Sequence, residues 1–253
     1  MIRVASLLAA VACLALQTGP ATAAELKVYS TIGVQAALKE LAPAYEKQTG
    51  DRLDFTFNTA AALTKRIQAG EHADVMILTR QNLETLGKEH KTSGHITPVA
   101  SSGISVVVKS GAAKPDISTP DALKATLLKA KTIAYSNPAA GGASGVYVGK
   151  MIEGMGIADQ VKDKTRHPPA GGNAGNLVAS GEAELAMQQT PEVISAKGVD
   201  VVGPLPGSLN KVTHFAADIS AAPTAKSSAE AFVKFLTSPE AVKVFKARGL
   251  EPG

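Results

Sequence analysis

Small polar and charged residues stand where predicted strands give way to predicted helices. Ser30 and Thr31 follow the first strand, Asn58 and Thr59 follow the second, and Arg80 follows the third. In an open α/β sheet, ligands collect beyond the carboxyl ends of the strands, where free N–H groups and the helix dipole favour negative charge. These junctions therefore predict an anion site, at which an arginine can pair with a carboxylate. The alternatives are helix capping for the hydroxyls and a solvated surface position for the arginine.

The middle of the chain adds glycine-rich and amide-bearing junctions. Residues 137–145 hold three glycines and a serine, and residues 168–175 form a second glycine-rich stretch before a predicted helix. Glycine lets backbone N–H groups approach an anion closely. No Gly-Lys-Ser/Thr follows, so the first stretch is not a nucleotide P-loop. The further candidate ligand residues are Ser102, Ser144, Gly145, Asn173, Gln188 and Gln189.

Ser144 is also the residue that a catalytic interpretation would use. It lies in a Gly-x-Ser-Gly run, but the Gly-x-Ser-x-Gly spacing of a nucleophile turn is absent and no predicted strand runs straight into it. The five histidines show no metal-ligand spacing. We therefore expect no metal, no cofactor and no catalysis, and a secreted hydrolase that uses Ser144 stays the alternative.

Strand-like and helix-like segments alternate along the chain. This order predicts an α/β fold in which each sheet is mainly parallel and flanked by helices. The predicted strands are 26–30, 53–58, 74–78, 104–109, 132–135, 184–188, 199–202 and 212–219. The predicted helices are 33–48, 60–69, 80–89, 119–129, 144–155, 173–179, 229–236 and 240–247.

Residues 1–24 are predicted to be a secretory signal peptide. Arg3 precedes an apolar run at 4–16, and small residues ending in Ala23 and Ala24 follow it, which is the order of a signal and its cleavage site. An apolar run of about 13 residues is shorter than the roughly 20 that span a bilayer. Cys13, the single cysteine, lies in this segment, so the mature chain is expected to hold no disulfide. We expect the protein in the periplasm.

Charge and composition argue against a nucleic-acid partner. The formal net charge is +4 without a lysine or arginine run, aromatic residues make up 4%, and tryptophan is absent. Nucleic-acid binding usually needs a clustered basic face, often with stacking aromatic residues. A mild positive balance fits a small anionic ligand instead.

Several segments together resemble the molybdate-binding periplasmic proteins. They are 26–30, 45–50, 57–63, 67–75 and 180–184, and the segment 235–241 resembles importer binding proteins more broadly. The resemblance implies a type II fold with two α/β lobes, of which 25–102 and 210–253 form the first and 103–209 the second. It also implies that hinge closure traps a ligand between the lobes and that an ABC permease in the inner membrane receives it. We expect a monomer.

The binding residues of that family are only partly present. Its first binding serine aligns with Gly33, its second with Ala60 and its binding tyrosine with Gln189, while Asn173 lies near another family contact. Loss of a serine hydroxyl removes a donor worth about 0.5–1.5 kcal/mol. We therefore expect a small organic carboxylate rather than molybdate. Arg80 and Arg166 are the candidate partners of that carboxylate. A ligand-sensing module for a membrane partner is the other alternative.

Overall fold

The computed structural model describes residues 23–253, so most of the predicted signal peptide lies outside the described residues. The strands are β1 (Glu25–Thr31), β2 (Arg52–Asn58), β3 (Val75–Thr79), β4 (Thr97–Ser102), β5 (Ile104–Lys109), β6 (Ile133–Tyr135), β7 (Thr165–Arg166), β8 (Leu185–Gln189), β9 (Val199–Pro204), β10 (Thr213–Ile219) and β11 (Glu251–Pro252). The α-helices are α1 (Gln35–Thr49), α2 (Ala60–Gln68), α3 (Arg80–Lys88), α4 (Pro120–Lys129), α5 (Ala143–Gly154), α6 (Ala158–Lys162), α7 (Ala174–Ser180), α8 (Thr190–Val193), α9 (Lys226–Phe235) and α10 (Pro239–Ala247). Short 3-10 helices span Ile32–Val34, Pro138–Ala140 and Gly207–Leu209.

The strands form two sheets, which confirms the predicted two-lobed α/β class. The first is six-stranded in the order β11-β4-β10-β3-β1-β2, and the second is five-stranded in the order β7-β6-β8-β5-β9. Both sheets are mixed rather than mainly parallel. Strands β1, β2 and β3 pair in parallel, as do β6, β7 and β8, whereas β5 and β10 are antiparallel to both of their neighbours. Because β5 and β10 arrive from the other lobe, no helical crossover on their own sheet forces them to be parallel.

The chain passes between the sheets twice. It leaves the first sheet at the end of β4 and enters the second at the start of β5, with only Gly103 between them. It returns between the end of β9 and the start of β10. We therefore propose the division into lobes given above, with its boundaries at 102–103 and 209–210.

The first sheet is covered by helices on both faces because its central strands are apolar on both sides. Along β1, Leu26 and Val28 belong to one buried cluster, and Tyr29 belongs to the other. The first cluster includes residues of α1 and of the two last helices, such as Phe232 and Phe245. The second cluster is completed by α2 and α3. The second sheet is built in the same way, with α4, α5 and α6 on one face and α7 and α8 on the other. No helix of the described part of the chain is long and apolar enough to cross a membrane.

Asp74 joins distant parts of the first lobe. Its carboxylate accepts hydrogen bonds from the Lys27 N–H at 2.9 Å and from the N–H and hydroxyl of Thr224 at 2.7 Å each, and His72 Nε2 lies at 3.1 Å. Burial of the carboxyl opposes its ionisation, but the bonds from Thr224 and Lys27 outweigh burial and hold the pKa of Asp74 below its usual value. The charged carboxylate therefore links β1 to the segment before α9.

Replacement of this carboxylate tests the link. Asp74→Ala removes a buried carboxylate and three partly buried hydrogen bonds to it, and we expect the free energy of unfolding to fall by about 1–3 kcal/mol at pH 7. The native pKa is lowered, so this stabilisation is present above the unfolded pKa and lost as the pH falls through the native one. Urea unfolding at pH 7 and below about pH 4 measures the difference. A loss under 0.5 kcal/mol, which is the size expected of a surface substitution, would contradict the assignment.

Candidate functional site

A cavity of about 40 Å³ lies between the lobes, beyond the carboxyl ends of strands from both sheets. A neighbouring groove of about 240 Å³ shares five of its wall residues. One water needs roughly 10–15 Å³ on this measure, so the inner cavity has room for a small group and a longer ligand extends into the groove. The cavity walls include Thr31, Gly33, Thr59, Ser136, Asn137, Ser144, Gly171, Gly172, Gln188, Gln189, Glu192 and Phe215.

The second lobe presents the start of helix α5 to the cavity. The first backbone bond of this helix runs from the Val146 N–H to the Gly142 carbonyl, and Gly142 provides no side-chain cap. Within residues 23–253, the N–H groups of Ala143, Ser144 and Gly145 therefore have no hydrogen-bond acceptor. The Ser144 side chain is 4% exposed, and its hydroxyl likewise has no partner in that range. Free N–H groups, a hydroxyl and the helix dipole together form an anion-binding arrangement.

Gly145 lets helix α5 approach the strand end beside it. A Cβ at this position would lie 2.4 Å from the Ser136 carbonyl oxygen. Any larger residue would push the start of α5 away from β6. The glycine therefore keeps the free N–H groups of α5 at the cavity wall.

The first lobe contributes Thr31 and Thr59 from the ends of β1 and β2. The Thr59 hydroxyl caps α2 by accepting from the Ala62 N–H at 3.2 Å, and it donates across the cleft to the Ala140 carbonyl at 3.1 Å. The Thr31 hydroxyl makes no cap bond. Thr59 therefore helps to hold the lobes together, whereas Thr31 keeps a hydroxyl for a ligand.

Gly33 lies beneath the ring of Phe215. A Cβ at Gly33 would come within 2.7 Å of Phe215 Cζ, and the ring is 2% exposed. The aromatic ring thus occupies the space that a serine at this position would need. The resemblance described above aligns this position with the first binding serine of the molybdate-binding family.

Glu192 is the titratable group of the cavity wall. It lies on α8, directly after the end of β8, and lines both the cavity and the groove. The Gln188 amide donates to its Oε2, while Oε1 has no hydrogen-bond partner within the described chain. Burial of the carboxyl raises the pKa of Glu192 to about 7, although the Gln188 bond acts in the opposite direction. This carboxyl therefore exchanges its proton near neutral pH.

Two glutamines at the end of β8 have separate tasks. The side-chain amide oxygen of Gln188 accepts from the Ala174 N–H at 2.7 Å, which fixes the start of α7. The Gln189 amide contacts the Thr213 hydroxyl at 2.7 Å. With its amide oriented to satisfy both ends, Gln189 also donates to the Gly103 carbonyl at 3.1 Å. Gln189 therefore ties together the two crossings between the lobes.

Twelve candidate ligand residues were predicted from the sequence, and five of them line the cavity. These are Thr31, Thr59, Ser144, Gln188 and Gln189. Gly145 adjoins it through its backbone. Glu192, Ser136 and Asn137 were missed, and the only sequence signal for Glu192 is an acidic residue in the first turn after a strand.

The other candidates lie outside the cavity for identifiable reasons. The Ser30 and Ser102 hydroxyls donate to the carbonyls of Thr31 and Gly103, and Asn58 accepts from the Thr59 N–H. Asn173 caps α7 and lines only the outer groove. The two arginines are also elsewhere: Arg80 pairs with Glu84 on the exposed face of α3, and Arg166 donates to nearby carbonyls on edge strand β7. We therefore leave these six residues out of the proposed set that contacts the ligand in the inner cavity.

The cavity contains no lysine or arginine among its described wall residues. The groove has one cation, Lys39, whose ammonium lies 5.5 Å from the centre of the Phe57 ring. An anion in the inner cavity must therefore be held by N–H groups, hydroxyls and amides. Lys39 supplies positive charge only at the outer end.

Two α/β lobes joined by two crossings, with a donor-lined cavity between them, define the type II class of periplasmic binding proteins. The chain matches the family model of the bacterial extracellular solute-binding proteins over residues 26–251 and belongs to that family. It is a divergent, molybdate-binding-like member. The family is extracytoplasmic.

Three known proteins show what the chain is similar to. It is 36% identical over 96% of its length to aconitate isomerase from Pseudomonas sp, of which it covers 95%. It is 24% identical over 89% of its length to the molybdate-binding protein ModA of Escherichia coli K12, with 88% of that protein covered. The substrate-binding domain of a molybdenum ABC transporter from Clostridium difficile superposes with a TM-score of 0.69 at 16% identity, covering 90% of this chain and 99% of that one, which shows the shared fold.

Substitution of Gly33 tests its packing against Phe215. Gly33→Ala places a methyl group against the Phe215 ring, and we expect a loss of about 1–3 kcal/mol in the free energy of unfolding. A second substitution, Phe215→Leu, makes room for the methyl group, so the double variant should lose less than the two single losses combined. Gly154→Ala is the control, because nothing lies within 4 Å of its Cβ position. Additive losses in urea unfolding would show that the two residues do not conflict.

Proposed function

We propose that the protein captures a small organic polycarboxylate, such as aconitate, reversibly between its lobes. The observation that carries this proposal is the donor-lined cavity, free of cations, that continues into a groove with Lys39 at its edge. One carboxylate would lie at the N–H groups of α5 and another would reach the groove. The 36% sequence identity to an aconitate isomerase, over 96% of this chain, supports the same class of ligand.

The wall of the first lobe argues against a tetrahedral oxyanion. The resemblance aligns Gly33 and Ala60 with hydroxyl-bearing binding residues of the molybdate-binding family, and Phe215 fills the space above Gly33. Each lost hydroxyl donor costs about 0.5–1.5 kcal/mol, so two losses weaken binding about fivefold to more than a hundredfold. Molybdate therefore lacks part of the coordination it needs in this cleft.

We further propose that the closed, ligand-bound form is delivered to an ABC permease. The alternative, a sensing module for a membrane partner, would use the same closed form. Uptake of the bound carboxylate by proteoliposomes that carry the permease separates these two roles. A hydrolase that uses Ser144 has less support, because within the described chain the Ser144 hydroxyl hydrogen-bonds to no histidine, lysine or carboxylate that could serve as a base.

Isomerisation of an unsaturated polycarboxylate is the second candidate function. It is favoured by the comparison with the isomerase and by the position of Glu192, whose carboxyl lines the cavity and exchanges its proton near neutral pH. Such a group can take a proton from one carbon of an allylic system and return it to another. This would replace the expectation that the protein catalyses nothing.

The binding proposal predicts a selective response to carboxylates. Calorimetric titration with cis-aconitate, trans-aconitate, tricarballylate, molybdate and sulfate should detect binding of at least one tricarboxylate and much weaker binding of the two oxyanions. Ser144→Ala should raise the dissociation constant about three- to tenfold, because one neutral donor is lost. Ser30→Ala is the matched control and should change it by less than about twofold, since Ser30 does not line the cavity and its hydroxyl already donates to the Thr31 carbonyl. Tight molybdate binding without carboxylate binding would overturn the proposal.

The second candidate predicts turnover as well as binding. Incubation of cis-aconitate in D₂O, followed by proton NMR, should yield the trans isomer with solvent deuterium incorporated. Glu192→Gln should reduce that rate at least a hundredfold, as expected on loss of a general acid–base group, whereas Ser144→Ala should mainly weaken binding. Binding without conversion above the protein-free rate would leave the protein a binder and exclude the isomerase.

A further inference from the structure

We propose that Glu192 couples anion capture to the uptake of one proton, with its protonated carboxyl donating a hydrogen bond to a carboxylate of the bound molecule. This inference rests on the proposed function, because it concerns the same cleft. It adds a change in protonation on binding, which the N–H groups, hydroxyls and amides of the cavity do not themselves require. The site would take a carboxylate together with a proton, rather than a carboxylate alone.

The position of Glu192 is the first reason. It is part of the wall shared by the inner cavity and the groove, so a polycarboxylate that extends from one into the other must pass it. Gln188 holds one carboxyl oxygen by donating to Oε2, and the neighbouring turn is tied down by Asn173, which donates to the Glu192 carbonyl. The side chain is therefore fixed at the wall with Oε1 left for a ligand.

The charges around Glu192 are the second reason. The elements packed against it present neutral groups: Gln188 from β8, Asn173 from the start of α7, and the backbone of 169–172 and of the 3-10 helix Ile32–Val34. The single cation among the groove residues is Lys39 on α1. No charged neighbour contributes to the pKa of Glu192, which burial raises.

Repulsion then decides the protonation state. An ionised Glu192 beside a bound carboxylate would place two negative charges within a partly dehydrated cleft that holds no inner cation, and like charges at close range raise the pKa of one partner further. A protonated Glu192 instead supplies a donor, as carboxylic acids in apolar sites are able to do. Binding therefore favours the protonated form, and the affinity should fall as the pH rises above neutrality.

The experiment compares wild type with Glu192→Gln, using tricarballylate as the probe. This saturated tricarboxylate has no double bond to isomerise, and its own ionisation affects both proteins equally. Between pH 6 and pH 8 the wild-type dissociation constant should rise about tenfold relative to that of Glu192→Gln, whose amide mimics the protonated acid. At pH 8, calorimetry in buffers of different ionisation enthalpy should find that wild type takes up close to one proton per ligand bound. Glu192→Gln lacks the titrating carboxyl and should take up correspondingly fewer protons.

A matched control uses an exposed glutamate of the same lobe. Glu153→Gln, on the outer end of α5, should keep the wild-type pH profile. Parallel pH profiles for wild type and Glu192→Gln, or equal proton uptake by the two, would overturn the inference while leaving carboxylate binding intact.

Failure of the proposed function is distinguishable from failure of this inference. If tricarballylate does not bind wild type at any pH, binding has failed, and the titration of Glu192 in the unliganded protein becomes the deciding measurement. Carbon NMR of protein labelled at glutamate, with the signal assigned by its absence from Glu192→Gln, should show a midpoint near neutral pH. A midpoint near the ordinary glutamate value of about 4.3 would overturn the inference.

Discussion

The cleft must hold its ligand without an inner cation, and the arrangement of both lobes follows from that constraint. None of the described residues that line the cavity is lysine or arginine, so negative charge has to be met by neutral donors. Such donors are worth more where water is excluded, but only when several converge at hydrogen-bonding distance. The free N–H groups at the start of α5 are the densest set, and Gly145 brings them close enough to serve.

Contacts between the lobes hold these donors in place. The bond from the Thr59 hydroxyl to the Ala140 carbonyl spans the cleft beside the cavity, and Gln189 joins the two crossings at its back through Thr213 and Gly103. Binding proteins of this architecture trap ligands by hinge closure. A cavity lined mainly by neutral donors suits that motion, because closure over neutral groups carries a smaller desolvation penalty than closure over charged side chains.

Much of the scaffold could be predicted from the sequence, because periodic apolar patterns and terminating glycines mark β1 to α3 within one or two residues. Strand β4 was missed, since Thr97–Ser102 is short, begins beside a proline and lacks alternation. The antiparallel insertion of β5 and β10 was missed as well, because pairing direction depends on which lobe a strand enters from. The short helices α6 and α8 are below the length at which periodicity is visible.

Some residues of the site could be predicted from the sequence and others could not. Thr59 and Ser144 were predictable because strand-to-helix junctions concentrate free N–H groups. Arg80 obeys the same rule and still pairs with Glu84 on the exposed face of α3, and Arg166 donates to backbone carbonyls. The raised pKa of Glu192 could not be predicted from the sequence, because it results from burial of the carboxyl in the folded cleft. The close approach of the Phe215 ring to Gly33, which leaves no room for a Cβ, likewise depends on two segments that meet only in the fold.

Selection of a small organic carboxylate by this cleft is tested by the ligand that the protein retains when it is purified. The measurement is native mass spectrometry of the protein, isolated from cells without added ligand. We expect a bound species whose mass and fragments are those of a di- or tricarboxylic acid, and its release on unfolding. A bound molybdate, tungstate or sulfate in its place would rule out the proposed carboxylate ligand.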